Sequence, residues 1–461
     1  MGSCQKHFIP DKEAELRSYV RVIGIDTGPS LYNTDDMTSG FLRAYKELFN
    51  GEPVKHTPGS DLVYDVVVPP QLLIIDILLT IVFGNIKSAD VEKIPIYIFQ
   101  TASAGSIIPL LSPENLGGFG NLQESLQKLE AKDEAERNKQ ITTLFRRCSG
   151  KLVLLPGLPS MYDYEFSPQE PIMEMSHIIV PILASAPRAL RECDGLILCS
   201  SETIERTAIE AIKGWIPGQL IFNVGPIDFP LFERAIDTSP ETLRVQQFLD
   251  ATLEKYGPHS LLYISFGTLF FFKKPDLFIS IIEMLLEKTV PFILSSASPA
   301  ASLPEELSDR INESNFAYSA KWLPQTDILE HQACGWFVTH CGQNSLSESL
   351  SAGVPLICCP FDSDQPVNAL TLVNSLNVAY ELFELRSGSG LRPIHRLGDR
   401  APEGTTESAR REFSEILVST RGEIGAKKRE NAQRIQKQLK SNWTPGGYSW
   451  KEIGRCMEIL H

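Results

Sequence analysis

Short, near-continuous runs of β-branched and aliphatic residues recur along this chain, and they restrict its fold more than any other feature. Val20–Ile25, Leu72–Ile77, Ile94–Gln100, Leu152–Leu155, Leu196–Cys199 and Leu220–Val224 are such runs, each set between helical or polar stretches. A second set opens at Leu261–Phe266 and continues with Pro291–Ser295, Trp336–His340 and Pro355–Cys359. Helical stretches at Pro275–Lys288, Asp327–Gln332 and Ser345–Ala352 separate its members. Runs without polar alternation suit strands buried on both faces, the situation of parallel strands covered by crossover helices. Alternating strands and helices with short turns predict doubly wound parallel sheets, with ligands at the carboxyl ends of the strands. A length of 461 residues allows two or three such domains.

Composition narrows the function by exclusion. A net charge of −14 argues against a nucleic-acid surface, because phosphate binding needs clustered Lys and Arg. The nine cysteines show no metal-ligand spacing, and Cys341, Cys358 and Cys359 lie in apolar segments, as reduced structural thiols would. Met1-Gly2-Ser3-Cys4-Gln5-Lys6-His7 leads into charged residues rather than an apolar signal core. Val66–Gly84 is the nearest approach to a membrane span, but Pro69-Pro70 break it and Asp76 lies inside it. The remainder falls short of the roughly 18 apolar residues required. A cytoplasmic monomer without nucleic-acid partner or membrane span is expected. Arg386–Thr406, rich in Gly, Pro, Arg and Ser, is expected to be a mobile insertion.

The most specific chemistry lies between Trp322 and Gln365. Trp322-Leu323-Pro324-Gln325 is followed by His331 and by Phe337-Val338-Thr339-His340-Cys341-Gly342-Gln343-Asn344-Ser345; then come Glu348, Gly353-Val354-Pro355 and Pro360-Phe361-Asp362-Ser363-Asp364-Gln365. A buried strand running into a Gly-Gln-Asn-Ser turn and then a helix presents backbone N–H groups and a helix dipole to an anion. On the residues alone Trp322 is equally a core tryptophan capping the sheet, and His331 reads as a structural residue in mid-helix.

This block resembles the donor-binding signature of the family 1 UDP-glycosyltransferases. The resemblance implies an α/β chain of GT-B architecture, two doubly wound, Rossmann-like parallel-sheet domains facing across a cleft. It divides the chain into an acceptor-binding domain (1–225), a linker (226–245), a UDP-sugar-binding domain (246–440) and a C-terminal helix returning to the first domain (441–461). It assigns Trp322, with Leu323 beside it, to the uracil base, and Gln325 and Glu348 to the ribose. The diphosphate falls to His340, Gly342, Asn344 and Ser345, with Gly267 and Thr268 forming a second phosphate-side turn. Asp364 and Gln365 fall to the sugar hydroxyls, Gln365 in the manner of glucose-using members. Asp362-Ser363-Asp364 spells the Asp-x-Asp of metal-dependent glycosyltransferases, yet the helix dipole and His340 are placed to stabilise the leaving group, so no metal and no cofactor are expected. The acceptor would be small and lipophilic.

Inverting transfer also needs a base for the acceptor hydroxyl, and in the family this is a His in a Gly-His loop after the first strand, polarised by a carboxylate. Asp76 matches that carboxylate, and Thr101 matches a position lining the sugar and acceptor cleft. No Gly-His loop stands here: His7 follows no apolar run, and Ala14–Gly24 resembles a region well inside the family's first domain. Roughly one βαβ unit, on the order of 30 or more residues, is expected to be absent. Two functions stay open at this point: transfer of a hexose, glucose, from a UDP-sugar, or a truncated form that binds the donor without transferring it.

Overall fold

The computed structural model describes residues 20–25, 34–57, 61–88, 94–171, 176–227, 237–268, 271–298 and 303–459. The apolar runs organise two parallel sheets. The first holds β1 (Leu73–Asp76), β2 (Ile96–Gln100), β3 (Gly195–Leu198) and β4 (Ile221–Asn223), hydrogen-bonded in that order. Successive residues of a strand face opposite ways. Ile96 and Ile98 of β2 accordingly enter the larger core of this half, while Tyr97 joins Ile197 and Phe222 on the other face.

The second sheet comprises β5 (Leu261–Ser265), β6 (Phe292–Ser295), β7 (Ala317–Ala320), β8 (Cys334–Thr339), β9 (Leu356–Cys358) and β10 (Ala379–Glu381). Its spatial order is β7-β6-β5-β8-β9-β10, all parallel. Leu261, Tyr263 and Phe337 face one core and Leu262, Ile264 and Val338 the other. This is the doubly wound arrangement, and the direction of winding reverses between β5 and β8, so a crevice opens beyond their carboxyl ends.

The helices include α1 (Ala104–Leu111), α2 (Glu202–Trp215), α3 (Gln343–Ala352), α4 (Gln365–Leu370) and α5 (Glu423–Asn442). Another, α6 (Tyr448–Glu458), returns to the first sheet. There Glu452 accepts from Asn223 N at 3.2 Å, and Arg455 donates to Ile221 O at 3.1 Å.

Three expectations are corrected. Val20–Ile25 is not a strand but an irregular segment held to a small hairpin, with Gly24 N donating to the Tyr64 hydroxyl at 3.0 Å. Leu152-Val153 pairs antiparallel with Met161-Tyr162, outside the parallel sheet, because only a short loop joins the two runs. The segment after Leu385 is a docked strap rather than a mobile insertion. Tyr164 donates to Pro393 O at 2.5 Å, Gln169 to Leu385 O at 2.7 Å, Arg392 to Cys148 O at 3.0 Å and Tyr162 to Asp399 at 3.0 Å. Its own arginines are held too, Arg386 and Arg396 both by the buried Glu381. Of the stretch expected to be a linker, 228–236 lies outside the described residues, and a helix already begins at Pro240.

Candidate nucleotide-sugar site

The chain leaves β8 through a tight turn. Cys341 takes a left-handed conformation (φ 66°), and Gly342 is the N-cap of α3. Two glycines make room for the ring of His340: a Cβ on Gly267 would lie 2.9 Å from its Cε1, and one on Gly342 2.7 Å from its Nε2. Gly267 also has φ +72°, a conformation that L side chains rarely adopt. The turn after β5 and the turn after β8 therefore close on one imidazole at the reversal of the sheet. Burial pushes this imidazole down to about 4, so it is neutral at pH 7. Thr339 Oγ1 lies 3.2 Å from its Nδ1.

A carboxylate holds the turn from beneath. Asp364 Oδ2 accepts from Gln343 N at 3.1 Å and from Asn368 Nδ2 at 2.8 Å, and Asn368 also donates to Cys341 O at 2.9 Å. Burial raises Asp364 to about 6, against the hydrogen bonds from Asn368 and Gln343 that lower it. Gln365 is fully buried, its Oε1 accepting from Phe361 N at 2.8 Å and Asp362 N at 3.3 Å, so that side chain shapes the loop.

Beside the turn runs a second polar chain. The Tyr263 hydroxyl donates to Gln325 Oε1 at 3.0 Å, and Gln325 Nε2 donates to Glu348. Trp322 is 65% exposed and so is not a core residue, whereas Leu323 is buried. Ser345 is buried, while Thr268 and Asn344 are exposed. His331 caps the end of the Gln325–Glu330 helix rather than lying in mid-helix, and bonds Asp250 at 3.1 Å.

The first sheet meets this edge at the seam. Gln343 Nε2 donates across it to Cys199 O, just beyond β3, at 3.1 Å, and Arg146 pairs with Asp362 at 2.5 Å. Behind the seam, Glu205 accepts from Ala104 N at 3.1 Å, Gly105 N at 2.8 Å and Ser200 Oγ. Burial raises its carboxyl above the ordinary glutamate range. Sequence reasoning missed Glu205, although Ile209 and Ile212 stand four and seven positions on, which puts a carboxylate on the buried stripe of α2. Thr101 follows β2 at this carboxyl edge. Asp76 ends β1 and caps the turn after it, accepting from Leu78 N at 2.8 Å. Among the described residues, no imidazole bonds Asp76: His56, His259, His331 and His395 bond elsewhere, and His340 lies at the other sheet.

A cavity of about 530 Å³ between α2 and α5 is lined by none of the candidate site residues the sequence singled out. No helix among the described residues is long and apolar enough to cross a membrane.

Two parallel sheets whose carboxyl edges meet at a seam, with an anion-ready turn on one side, define the GT-B class. Comparison with known proteins shows what the chain is similar to. Residues 239–386 match the description "UDP-glucoronosyl and UDP-glucosyl transferase". UDP-glycosyltransferase eriJ of Hericium erinaceus is 32% identical over 320 residues, covering 65% of this chain and 60% of that protein. UDP-glycosyltransferase 76E4 of Arabidopsis thaliana is 28% identical over 306 residues, with 64% and 59% covered. The chain thus spans about three fifths of the length of these curated relatives. A UGT transferase from Siraitia grosvenorii solved in complex with UDP superposes with a TM-score of 0.66 at 20% identity, over 96% of this chain and 90% of that one. Medicago truncatula UGT71G1, solved with UDP-glucose, gives 0.66 at 18%, over 100% and 89%. Over residues 239–386 the chain is thus similar to the family 1 UDP-glycosyltransferases, and it shares the fold of their solved structures.

Proposed function

We propose that this chain binds a UDP-sugar along the carboxyl edge of β5 and β8 and transfers its hexose, glucose, with inversion to a hydroxyl of a small lipophilic acceptor. Residues 246–440 take the donor and residues 1–225 the acceptor. The observation that carries this reading is the closure of Gly267 and Gly342 on a neutral His340 at the start of α3. The helix N-terminus and its dipole offer the diphosphate a site that favours negative charge. A neutral imidazole can donate a hydrogen bond to a phosphate oxygen as charge builds on the leaving UDP. Glu348, to which Gln325 donates, accepts from both ribose hydroxyls in this reading. Trp322 offers its exposed face to the base, and the Asp364–Gln365 turn sets the sugar end. In the transfer, the acceptor oxygen attacks the anomeric carbon as its bond to the UDP oxygen breaks. The hydroxyl proton passes to a base that Asp76 polarises.

The bonding of Asp76 favours a second reading, binding without transfer, because its carboxylate engages Leu78 N and no described imidazole. Calorimetric titration with UDP-glucose, run beside turnover of a phenolic acceptor, separates the two. Binding with turnover supports the transferase, and binding alone supports the second reading. Absence of binding removes both.

A further inference from the structure

The cavity of about 530 Å³ between α2 and α5 contains no residue of the turn around His340. Its floor is apolar and buried, formed by Ile108 of α1 with Leu155 and Ile204. Its walls come from both halves of the molecule. Arg206 and Thr207 stand on α2, Arg434, Gln438 and Ser441 on α5, and all five are exposed at the mouth. Small-molecule sites are of this size, lie preferentially between domains and set a few polar groups over an apolar floor.

Donors are in surplus here. The two acids of the lining are already engaged: Glu205 accepts from Ala104 N, Gly105 N and Ser200 Oγ, and Glu202 pairs with Arg206 at 3.7 Å. Arg434 Nη1 donates to Gln438 Oε1 at 3.2 Å, which uses the acceptor of that amide and leaves its Nε2. Glu430, one turn before Arg434, pairs with Lys427 at 2.7 Å, and Arg434 has no ion pair among the described residues. Nor, among those residues, do Gln438 Nε2 and the hydroxyls of Thr207 and Ser441 find an acceptor. The sequence adds charge of the same sign. From Asn431 to Lys451 there is no Asp or Glu, while Arg434, Lys437 and Lys440 stand exposed on α5, in a chain of net charge −14. A solvated basic helix face would account for the lysines, but it has no apolar floor beneath it and no second arginine across a cavity. Donors on two sides, with an arginine on each, suit an anion that accepts several hydrogen bonds at once. A phosphate monoester presents three such oxygens and matches the guanidinium fork.

We propose that this cavity binds a small phosphate monoester, with Arg434 and Gln438 on one side of the phosphate, Arg206 and Thr207 on the other, and the body of the ligand on the Ile108–Leu155–Ile204 floor. The site is separate from the carboxyl edge of β5 and β8 and does not depend on the transferase reading. Because its donors come from α2 and α5, the bound phosphate ties the first half of the molecule to the second.

The test is calorimetric titration of the full chain with adenosine 5′-monophosphate and with glucose 6-phosphate, beside their uncharged parents adenosine and glucose, with and without UDP-glucose. At least one ester should bind about tenfold more tightly than its parent, as a charge-assisted bidentate contact warrants. The order of the two esters tells the source, a ring-bearing nucleotide or a sugar phosphate. Arg434→Gln should abolish the preference for the ester and leave UDP-glucose titration unchanged, and Arg434→Lys should keep part of the preference. Arg206→Gln should weaken ester binding severalfold; unchanged affinity in that variant overturns the tie between the halves. Equal binding of ester and parent by the wild-type protein, or no binding of either ester, overturns the proposal without any variant, so a misfolded Arg434→Gln does not protect it. Inorganic phosphate binding as tightly as both esters leaves the floor without a role and overturns the cavity as the site. Displacement of the ester by UDP-glucose would place it at the edge of β5 and β8 instead. Ester binding lost in Lys440→Gln and kept in Arg434→Gln would place it on the outer face of α5, and either result overturns the proposal.

Discussion

The two sheets are built from the same kind of strand and differ in how the strands are ordered. In the second sheet the order reverses between β5 and β8, so two turns diverge and leave a crevice that a glycine-flanked histidine fills. In the first, among the described residues, β1 to β4 follow one another without reversal. Its carboxyl edge contributes a seam rather than a crevice of its own. β1, at the end of that order, leaves Ile74 51% exposed, whereas every residue of β5 is buried. A sheet that winds both ways makes a binding site by topology alone; one that winds one way supplies a wall to its neighbour's.

Opening the buried network that backs the first sheet's edge should have the largest effect. Glu205→Ala leaves the Ala104 and Gly105 N–H groups and the Ser200 hydroxyl buried without acceptor. The expected loss is on the order of 3–5 kcal/mol in urea-induced unfolding. A loss below about 1 kcal/mol would mean that the first half hardly depends on this carboxylate.

The titration of the second sheet's edge comes next. His340 is held down at about 4, so its contribution is complete above its ordinary 6.5 and is lost as pH falls toward 4. Asp364 is held up at about 6, so its contribution is complete below its ordinary 3.8 and is lost as pH rises toward 6. At about 1.4 kcal/mol per pH unit, each amounts to no more than roughly 3 kcal/mol. Between pH 4 and 6 the two slopes oppose. His340→Gln should unmask a melting temperature that falls as pH rises through this window, and Asp364→Asn one that climbs. Parallel profiles in the two variants would show that neither group is set by its burial.

Glu348→Ala should weaken UDP-glucose binding by about 1.5–3 kcal/mol, and calorimetry with unchanged affinity would take Glu348 out of the site. The smallest effect belongs to the first sheet. Asn caps a turn about as well as Asp, so Asp76→Asn should change stability by a few tenths of a kcal/mol and leave donor affinity alone, while turnover falls. Loss of folding would make Asp76 a structural residue.

The sheets were legible because burial on both faces removes polar alternation, and the turn at the carboxyl edge of β8 because His340, Gly342 and Glu348 sit close together in sequence. Val20–Ile25 and Leu152–Leu155 have the same composition as true strands, and no local pattern records whether a parallel partner lies within reach. The strap escaped because Gly, Pro and Arg read as looseness, while its partners Tyr162, Tyr164 and Gln169 stand more than 200 positions away.

The strap has a consequence for how the molecule comes apart. The chain passes between the two sheets more than once, and the returning pieces are fastened: the strap to Tyr164 and Gln169, and α6 to β4. Neither sheet can lose its structure without releasing hydrogen bonds that complete the other. Separate domains on a slack tether melt in separate steps; elements laced together in this way share their free energy. A single calorimetric transition, with one midpoint whether it is followed from Trp322 or from α6, is the behaviour this lacing dictates.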